Sequence, residues 1–242
     1  MGLAFSANLF TLFIFYEVLT LSTYPLVTLA GTEKAKKGGR TYLAILLTTS
    51  IVFFLLAIVS TWLVAGTLDF KPGGIFADDV DKITASILLV LFIFGIGKAA
   101  IMPFHRWLPA AMVAPTPVSS LLHAVAVVKA GVFTVLKVCT FIFGLDLLAQ
   151  LPSTQFLLYL AGFSVLIASL IAMRQDNLKA RLAYSTVSQL GYITIGALLA
   201  TSSGVIGSAM HIAMHAFGKI TLFFCAGAIL VAAHKSKISE MH

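Results

Sequence analysis

Residues 83–117 read ITASILLVLFIFGIGKAAIMPFHRWLPAAMVAPTP. The run Ile83–Ile101 approaches the ~20 residues that a helix needs to cross the hydrocarbon core of a membrane, and it contains Lys98. Proline lacks a backbone N–H and clashes inside a helix, so the prolines that follow predict a broken helix around residues 98–117. Non-helical backbone at membrane depth is tolerated only where protein or water covers it, so this break is expected inside a bundle. The predicted helix-breaking residues are Pro103, Pro109, Pro115 and Pro117.

The rest of the chain has the same character. Apolar residues make up 60% of the sequence and charged residues only 10%, whereas a soluble domain carries roughly 25% charged residues. Six further apolar runs are each near or above the length of a membrane span. They are Leu3–Leu29, Tyr42–Gly66, Val118–Gly144, Thr154–Met173, Leu182–Ala200 and Val205–Ala233. We therefore predict an all-α, polytopic transmembrane bundle of about seven helices.

The charge of +7 is distributed as in a membrane protein, which argues against a nucleic-acid partner. Alternate connections place ten bases on one side and two, Lys71 and Lys82, on the other. By the positive-inside rule, loops 31–40 and 174–181 are expected to be cytoplasmic, in a bacterial or archaeal cell membrane. The opposite loop is acidic, with Asp69, Asp78, Asp79 and Asp81.

Five charged residues fall inside the predicted spans. A charge at membrane depth costs at least ~2.5–3.5 kcal/mol, so such residues pair, face internal water or form an ion pathway. Lys137 lies near a helix end, where a snorkelling side chain is the simpler interpretation. The five residues are Glu17, Lys98, Lys129, Lys137 and Lys219.

Glu17 and Lys98 suggest a proton switch. Burial disfavours a charged lysine and a nearby carboxylate favours it, so a pair that forms and separates can bind and release a proton. The simpler alternatives are a neutral Glu17 hydrogen-bonded to a hydroxyl group and a snorkelling Lys98.

His211, His215 and Lys219 recur at intervals of four residues, which places them along one helix face. Histidine titrates near neutral pH, so the stripe is a candidate proton wire. Half of a metal site and a purely structural stripe are the alternatives. His123 and Lys129 add further titratable groups on the fourth predicted helix.

The sequence lacks the motifs of a redox or nucleotide enzyme. There is no Rossmann fingerprint, no HExxH and no cysteine cluster, and the glycines near Lys98 and Lys219 lack the spacing of a phosphate loop. Cys139 and Cys225 lie in separate apolar runs. We expect no cofactor, no metal and no catalytic site of the chain's own.

Four segments resemble one family. Residues 97–131 read GKAAIMPFHRWLPAAMVAPTPVSSLLHAVAVVKAG. With LAYSTVSQLGY at 182–192, HIAMHAFGK at 211–219 and NLF…FYE at 8–17, they resemble the antiporter-like subunits of respiratory complex I, Mrp Na⁺/H⁺ antiporters and membrane-bound hydrogenases.

The resemblance implies roles for individual residues. Glu17 and Lys98 match the family's glutamate–lysine pair, and His123 and Lys129 match positions that members fill alternately. Lys179 and the His211–Lys219 stripe would belong to a second half-channel. The family is built on inverted repeats, so about 1–150 is expected to hold most of the first repeat and about 151–242 part of the second, as in a partial chain.

Three functions are compatible with these patterns. The leading one is translocation of protons, possibly with Na⁺, as a subunit among other membrane subunits of a respiratory or Mrp-type complex. Such a subunit could be the proton-pumping part of an NADH:quinone oxidoreductase-like enzyme. The alternatives are an ion-inactive structural subunit and an independent transporter of a small organic solute.

Overall fold

The structure is a computed structural model that describes residues 1–77 and 80–241. Asp78 and Asp79, which belong to the predicted acidic loop, and His242 lie outside the described residues. Within those ranges the chain forms helices and two isolated β-bridges, with no named strand. The all-α prediction is confirmed.

Long helices account for most of the described chain. They are α1 Leu9–Val27, α2 Glu33–Ala65, α3 Lys82–Gly95, α4 Thr116–Phe143, α5 Pro152–Arg174, α6 Leu178–Leu198 and α7 Ser202–Ala233. Five of these, α1, α2, α4, α5 and α7, are long and apolar enough to cross a membrane. Helix α3 has 14 residues and leads into the broken segment, and α6 has 21 residues with more polar side chains. The predicted polytopic bundle is confirmed.

Helix α1 begins later than the predicted run Leu3–Leu29. Asn8 caps it, since its side-chain oxygen accepts a hydrogen bond from the Thr11 N–H at 2.8 Å. The residues before it pair with the chain after α2, since the Phe70 N–H donates to the Ala7 carbonyl at 3.2 Å. Glu17 consequently lies at the middle of a 19-residue helix.

Helix α2 begins earlier than predicted and includes most of loop 31–40. The Thr32 hydroxyl caps it by accepting from the Ala35 N–H at 3.1 Å, and Glu33 complements the helix dipole in the first turn. A hydropathy pattern treats this charged stretch as a loop, whereas the cap and good helix formers extend the helix beyond the apolar run.

The connections form two distinct ends of the bundle. At one end Gly38 lies against the Ala110 carbonyl, and the Lys179 ammonium group donates to the Ala114 carbonyl at 2.6 Å. At the other end the Ile75 N–H donates to the Ile142 carbonyl at 3.0 Å. The segments predicted to be rich in bases therefore share one end.

The predicted break at residues 98–117 is confirmed. After α3, the chain forms a 3₁₀ turn at Gly97–Ala99, and Ala100 takes a left-handed conformation with φ 55°. Short helical turns at Phe104–Arg106, Trp107–Ala110 and Ala111–Val113 lead to α4. The four prolines lie here: Pro103 follows a cis peptide bond, Pro109 sits within a single short turn, Pro115 precedes α4 and Pro117 is in its first turn.

Wide π-helical turns interrupt two of the spans. One lies at Thr49–Leu55 in α2, and others lie at Leu121–Val125 and Cys139–Phe143 in α4. Such turns are rare and often occur at functional sites. Helix α4 is the most buried of these five spans. In an apolar segment of 18 residues, 67% of its residues are buried, against 17% in α7.

Candidate functional site: a buried row of lysines and histidines

The 3₁₀ turn after α3 buries Lys98 completely. Its ammonium group donates a hydrogen bond to the Tyr16 carbonyl and lies 3.2 Å from the centroid of the Tyr16 ring. Its backbone N–H donates to the Tyr16 hydroxyl at 3.1 Å. In the part of the chain that the structure describes, the hydrogen bonds that Lys98 donates outside its own segment thus all go to one residue of α1.

Glu17 follows Tyr16 on α1, and its charge acts on Lys98. Among the described residues the two side chains form no ion pair, and neither carboxylate oxygen has a hydrogen-bond partner. Hydroxyl groups of Thr20 and Ser50 lie beside the carboxylate, but they donate to the carbonyls of Tyr16 and Leu47. The structure thus brings Glu17 and Lys98 together without joining them.

Close backbone contacts fix the turn that carries Lys98. A Cβ atom at Gly131 of α4 would lie 2.7 Å from the Lys98 carbonyl oxygen, so only glycine permits this approach. The Trp107 indole N–H donates to the Gly97 carbonyl at 2.9 Å and ties the later part of the break to the same turn. The broken helix is therefore a well-packed support for one lysine.

A second cluster lies where α4, α6 and α7 meet. The Lys129 ammonium group of α4 contacts His215 Nδ1 of α7, and the His211 and His215 rings stack 6.0 Å apart at an interplanar angle of 4°. Lys129 and His215 are 8% and 7% exposed. The stripe on α7 therefore faces a lysine of a neighbouring helix.

Lys219 extends the cluster towards α6. Its ammonium group donates to the Ser185 hydroxyl at 2.8 Å and to the Leu182 carbonyl at 3.1 Å. His123, in the π-helical turn of α4, is completely buried, and the charges of Lys219 and Lys179 both act on it. Neither ring nitrogen of His123 has a partner among the described residues.

The predicted site residues thus form two groups. The first contains Glu17 and Lys98, and the second contains His123, Lys129, Lys179, His211, His215 and Lys219. No side-chain hydrogen bond between described residues joins the groups, but Lys129 lies two residues before Gly131, which contacts the Lys98 backbone. Helix α4 is the element that both groups share.

Lys137 takes no part in either group. Its ammonium group donates to the Ser6 carbonyl at 2.8 Å and lies 4.0 Å from the Phe70 ring centroid. It therefore ties the N-terminal segment to α4 near one end of the bundle, as a snorkelling lysine would.

Half of a metal site was one alternative for the histidines of α7. No group of three or more His, Cys, Asp or Glu side chains suited to a metal ion occurs in the described part of the chain. The Lys129 ammonium group at His215 would also repel a cation.

Sequence reasoning missed Tyr16, Trp107 and Ser185. Tyr16 contacts Lys98, Ser185 contacts Lys219 and Trp107 contacts the Gly97 carbonyl, and these contacts exist only in the tertiary structure. The three residues are uncharged, and their types are ordinary in a membrane helix. All three lie in the segments that resemble the family, and adjacency to Glu17 was a further signal for Tyr16.

Comparisons with known proteins agree on one family over almost the whole chain. The family model described as "NADH:quinone oxidoreductase/Mrp antiporter, TM" matches residues 6–242. The chain is 33% identical to "NAD(P)H-quinone oxidoreductase subunit 5, chloroplastic" of Amborella trichopoda, over 95% of its own length and 31% of the relative's. It is 42% identical to "NADH-quinone oxidoreductase subunit L" of Rickettsia felis, over 64% of its own length and 23% of the relative's.

Solved structures agree with the sequence relatives. A chain of the Mrp complex from a Dietzia species matches with a TM-score of 0.84 and 30% identity, over 95% of this chain and 25% of that one. A chain of the membrane-bound sulfane sulfur reductase, an archaeal respiratory membrane complex, matches with a TM-score of 0.85 and 28% identity, over 98% of this chain and 48% of that one. The chain therefore spans less than half of each of these relatives.

Proposed function

Because this chain belongs to the NADH:quinone oxidoreductase/Mrp antiporter transmembrane family, we propose that it moves protons, or exchanges a cation for protons, across a membrane. It would do so beside other membrane subunits of a complex I-like or Mrp-like assembly. The observation that carries the proposal is the completely buried Lys98 in a helix break, next to a Glu17 carboxylate that it does not touch. A lysine held at this depth for packing alone would cost several kcal/mol without return.

The first step is an exchange of partners by Lys98. An ammonium group is favoured by a nearby carboxylate and disfavoured by burial. When Glu17 approaches, Lys98 holds its proton, and when Glu17 is neutralised or withdraws, Lys98 releases it. No hydrogen bond from another described residue holds the carboxylate oxygens of Glu17 in place.

The second cluster would receive the proton. Lys129 and His215 are in direct contact, so a proton on one strongly disfavours a proton on the other. His123, His211, Lys179 and Lys219 offer further sites. Unpaired buried nitrogens are normally satisfied by water, which could carry protons between these side chains.

The orientation and repeat organisation are part of the proposal. The end of the bundle that holds loops 31–40 and 174–181 carries most of the bases, so we place it on the cytoplasmic side of a bacterial or archaeal membrane. We assign about 1–150 to the first repeat and about 151–242 to part of the second.

The test is dye-detected proton movement in inverted membrane vesicles that contain the full parent complex. Glu17→Gln and Lys98→Ala should abolish it with the complex still assembled, while Lys34→Ala, at an exposed site, should not. A response to added Na⁺ without an electron donor would indicate antiport, and a donor-dependent response would indicate a redox pump. Full proton movement in both variants would refute translocation through this pair and favour a structural subunit.

A further inference from the structure

Tyr16 contacts Lys98 at three points, and no sequence motif predicts these contacts. Its carbonyl accepts from the ammonium group, its ring lies 3.2 Å beneath that group, and its hydroxyl accepts from the Lys98 backbone N–H. Tyr16 is completely buried. We propose that Tyr16 is a positioning residue that gives the charged Lys98 a second resting place, separate from Glu17.

This inference rests on the proposed function, because it describes where Lys98 goes when it leaves Glu17. Tyr16 and Glu17 are consecutive residues of α1 and point about 100° apart around the helix. The flexible four-carbon stem of lysine can reach both positions by rotation, without movement of the backbone. The Lys98 ammonium group would thus alternate between the Glu17 carboxylate and the site formed by the Tyr16 ring and carbonyl.

The surrounding packing holds the Tyr16 ring in place. The ring meets Phe54 edge to face with centroids 5.3 Å apart, and Phe54 meets Phe92 at 5.9 Å. A fixed aromatic face attracts a cation most strongly where water is excluded. The backbone of Lys98 is also fixed, so only its side chain needs to move.

The other groups around Lys98 leave Tyr16 as the alternative to Glu17. In the described part of the chain, Glu17 is the charged group that acts on Lys98, and Tyr42 of α2 is a further phenol near Tyr16. Helix α4 contributes Gly131, and α2 contributes Thr49 beside Gly97. His105, later in the break, faces Tyr184 with ring centroids 6.3 Å apart. Within residues 1–77 and 80–241, no second carboxylate competes for the ammonium group.

Tyr16 therefore has an effect that ordinary core packing lacks. It lowers the free energy of the separated, charged state of Lys98, so that the proton is retained until a later step. Without the ring, the ammonium group outside the reach of Glu17 would lose its proton at a lower pH.

The experiment measures the pH profile of proton movement in vesicles with the full complex. In Tyr16→Leu we expect the alkaline half-maximum to fall by about one pH unit, the size of a desolvated cation–π contact. Both variants keep the Tyr16 backbone carbonyl, but Tyr16→Phe also keeps the ring and loses only the hydroxyl that accepts from the Lys98 backbone N–H, so it should shift the profile much less. Phe143→Leu removes a buried ring that contacts Phe76 and Phe92 and neither Tyr16 nor Lys98, and it should leave the midpoint unchanged.

The outcomes separate this inference from the proposed function. If Lys98→Ala abolishes proton movement and Tyr16→Leu lowers the rate equally at every pH, Tyr16 is a packing residue and the inference is wrong. If Lys98→Ala retains full movement, the proposed function itself fails. A shifted profile in Tyr16→Leu that Tyr16→Phe largely restores would support both.

Discussion

Lys98 and Lys129 are both buried, yet among the described residues only Lys98 has a carboxylate nearby. Around Lys98 the structure places Glu17, an aromatic ring and backbone carbonyls. Around Lys129 it places His215, with Lys219 near enough for its charge to act. The first group can hold a positive charge beside a negative one, whereas the second contains only bases.

The difference assigns different tasks to the two groups. Two positive charges 4 Å apart repel each other by about 4 kcal/mol at an effective dielectric constant of 20. The base-only group therefore cannot fill all its sites at once, and a proton that enters favours the departure of another. In the proposed mechanism, the first group loads a proton and the second passes it on.

The largest expected effect follows from disrupting the contact between Gly131 of α4 and the backbone of Lys98, where the two groups approach each other. Gly131→Val would drive a side chain into the backbone of Lys98, and overpacking of this kind costs about 1–3 kcal/mol or more. We expect loss of most of the assembled subunit, measured by its thermal unfolding and its amount in purified membranes. Gly162→Val on α5 is the control, because a Cβ atom there meets nothing within 4 Å. Equal stability of the two variants would show that the approach of α4 to Lys98 is not tight.

Giving the second group a carboxylate would remove the contrast. His215→Glu places an acid beside Lys129, and a close ion pair should trap the proton there. We expect proton movement to fall at least tenfold, about 1.4 kcal/mol or more in barrier height. His215→Gln is the matched neutral control and should retain more activity than the glutamate variant. A glutamate variant faster than the glutamine variant would contradict the base-only interpretation.

A smaller change should follow from Ser185→Ala. The Ser185 hydroxyl accepts from the Lys219 ammonium group, and hydrogen bonds to charged groups contribute about 1.5–3 kcal/mol. The Leu182 carbonyl remains as a partner, so we expect proton movement to slow by several-fold. Ser203→Ala, at an exposed position of α7, is the control for rate measurements. An unchanged rate would mean that the carbonyl alone positions Lys219.

The smallest expected effect concerns Asp176, whose carboxylate is exposed, whereas the carboxylate oxygens of Glu17 are buried. Hydrogen bonds from Ser239 hold the pKa of Asp176 below its usual value, and these bonds tie the C-terminal segment to loop 174–181. Because this pKa is lowered in the folded state, the stabilisation that these hydrogen bonds give the C-terminal segment is present above pH ~3.9. It is lost as the pH falls further. Amide exchange of Ser239, corrected for intrinsic rates, should accelerate between pH 5 and pH 3. Asp176→Asn should abolish this pH dependence, and identical behaviour of both proteins would contradict it.

The sequence predicted the architecture because membrane constraints are simple. Twenty apolar residues form a span, and prolines after Lys98 break one. The start of α2 at Glu33 was missed because its capping residue lies in a charged stretch that hydropathy excludes. The π-helical turns were missed because no residue pattern distinguishes them from an α-helix.

The charged residues of the candidate site could be predicted from the sequence, whereas their contacts could not. Buried lysines and histidines are conspicuous in an apolar sequence, so Lys98, Lys129 and Lys219 could be singled out. Which helices meet around each one depends on packing. The pairing of Lys129 with His215, 86 positions apart, and the position of Tyr16 under Lys98 appear only in three dimensions.

The π-helical turn at Leu121–Val125 sets a limit on chain length. Such a turn accommodates one extra residue by widening, so deleting one residue there would restore an α-helix and leave the two halves of α4 in nearly the same relative orientation. His123 lies within the turn and Lys129 lies beyond it, so one more inserted residue would rotate Lys129 by about 100° relative to the first half of α4 and turn it away from the interior. Homologous chains that keep both residues inside the bundle should therefore accept the loss of one residue in this stretch more readily than the gain of one.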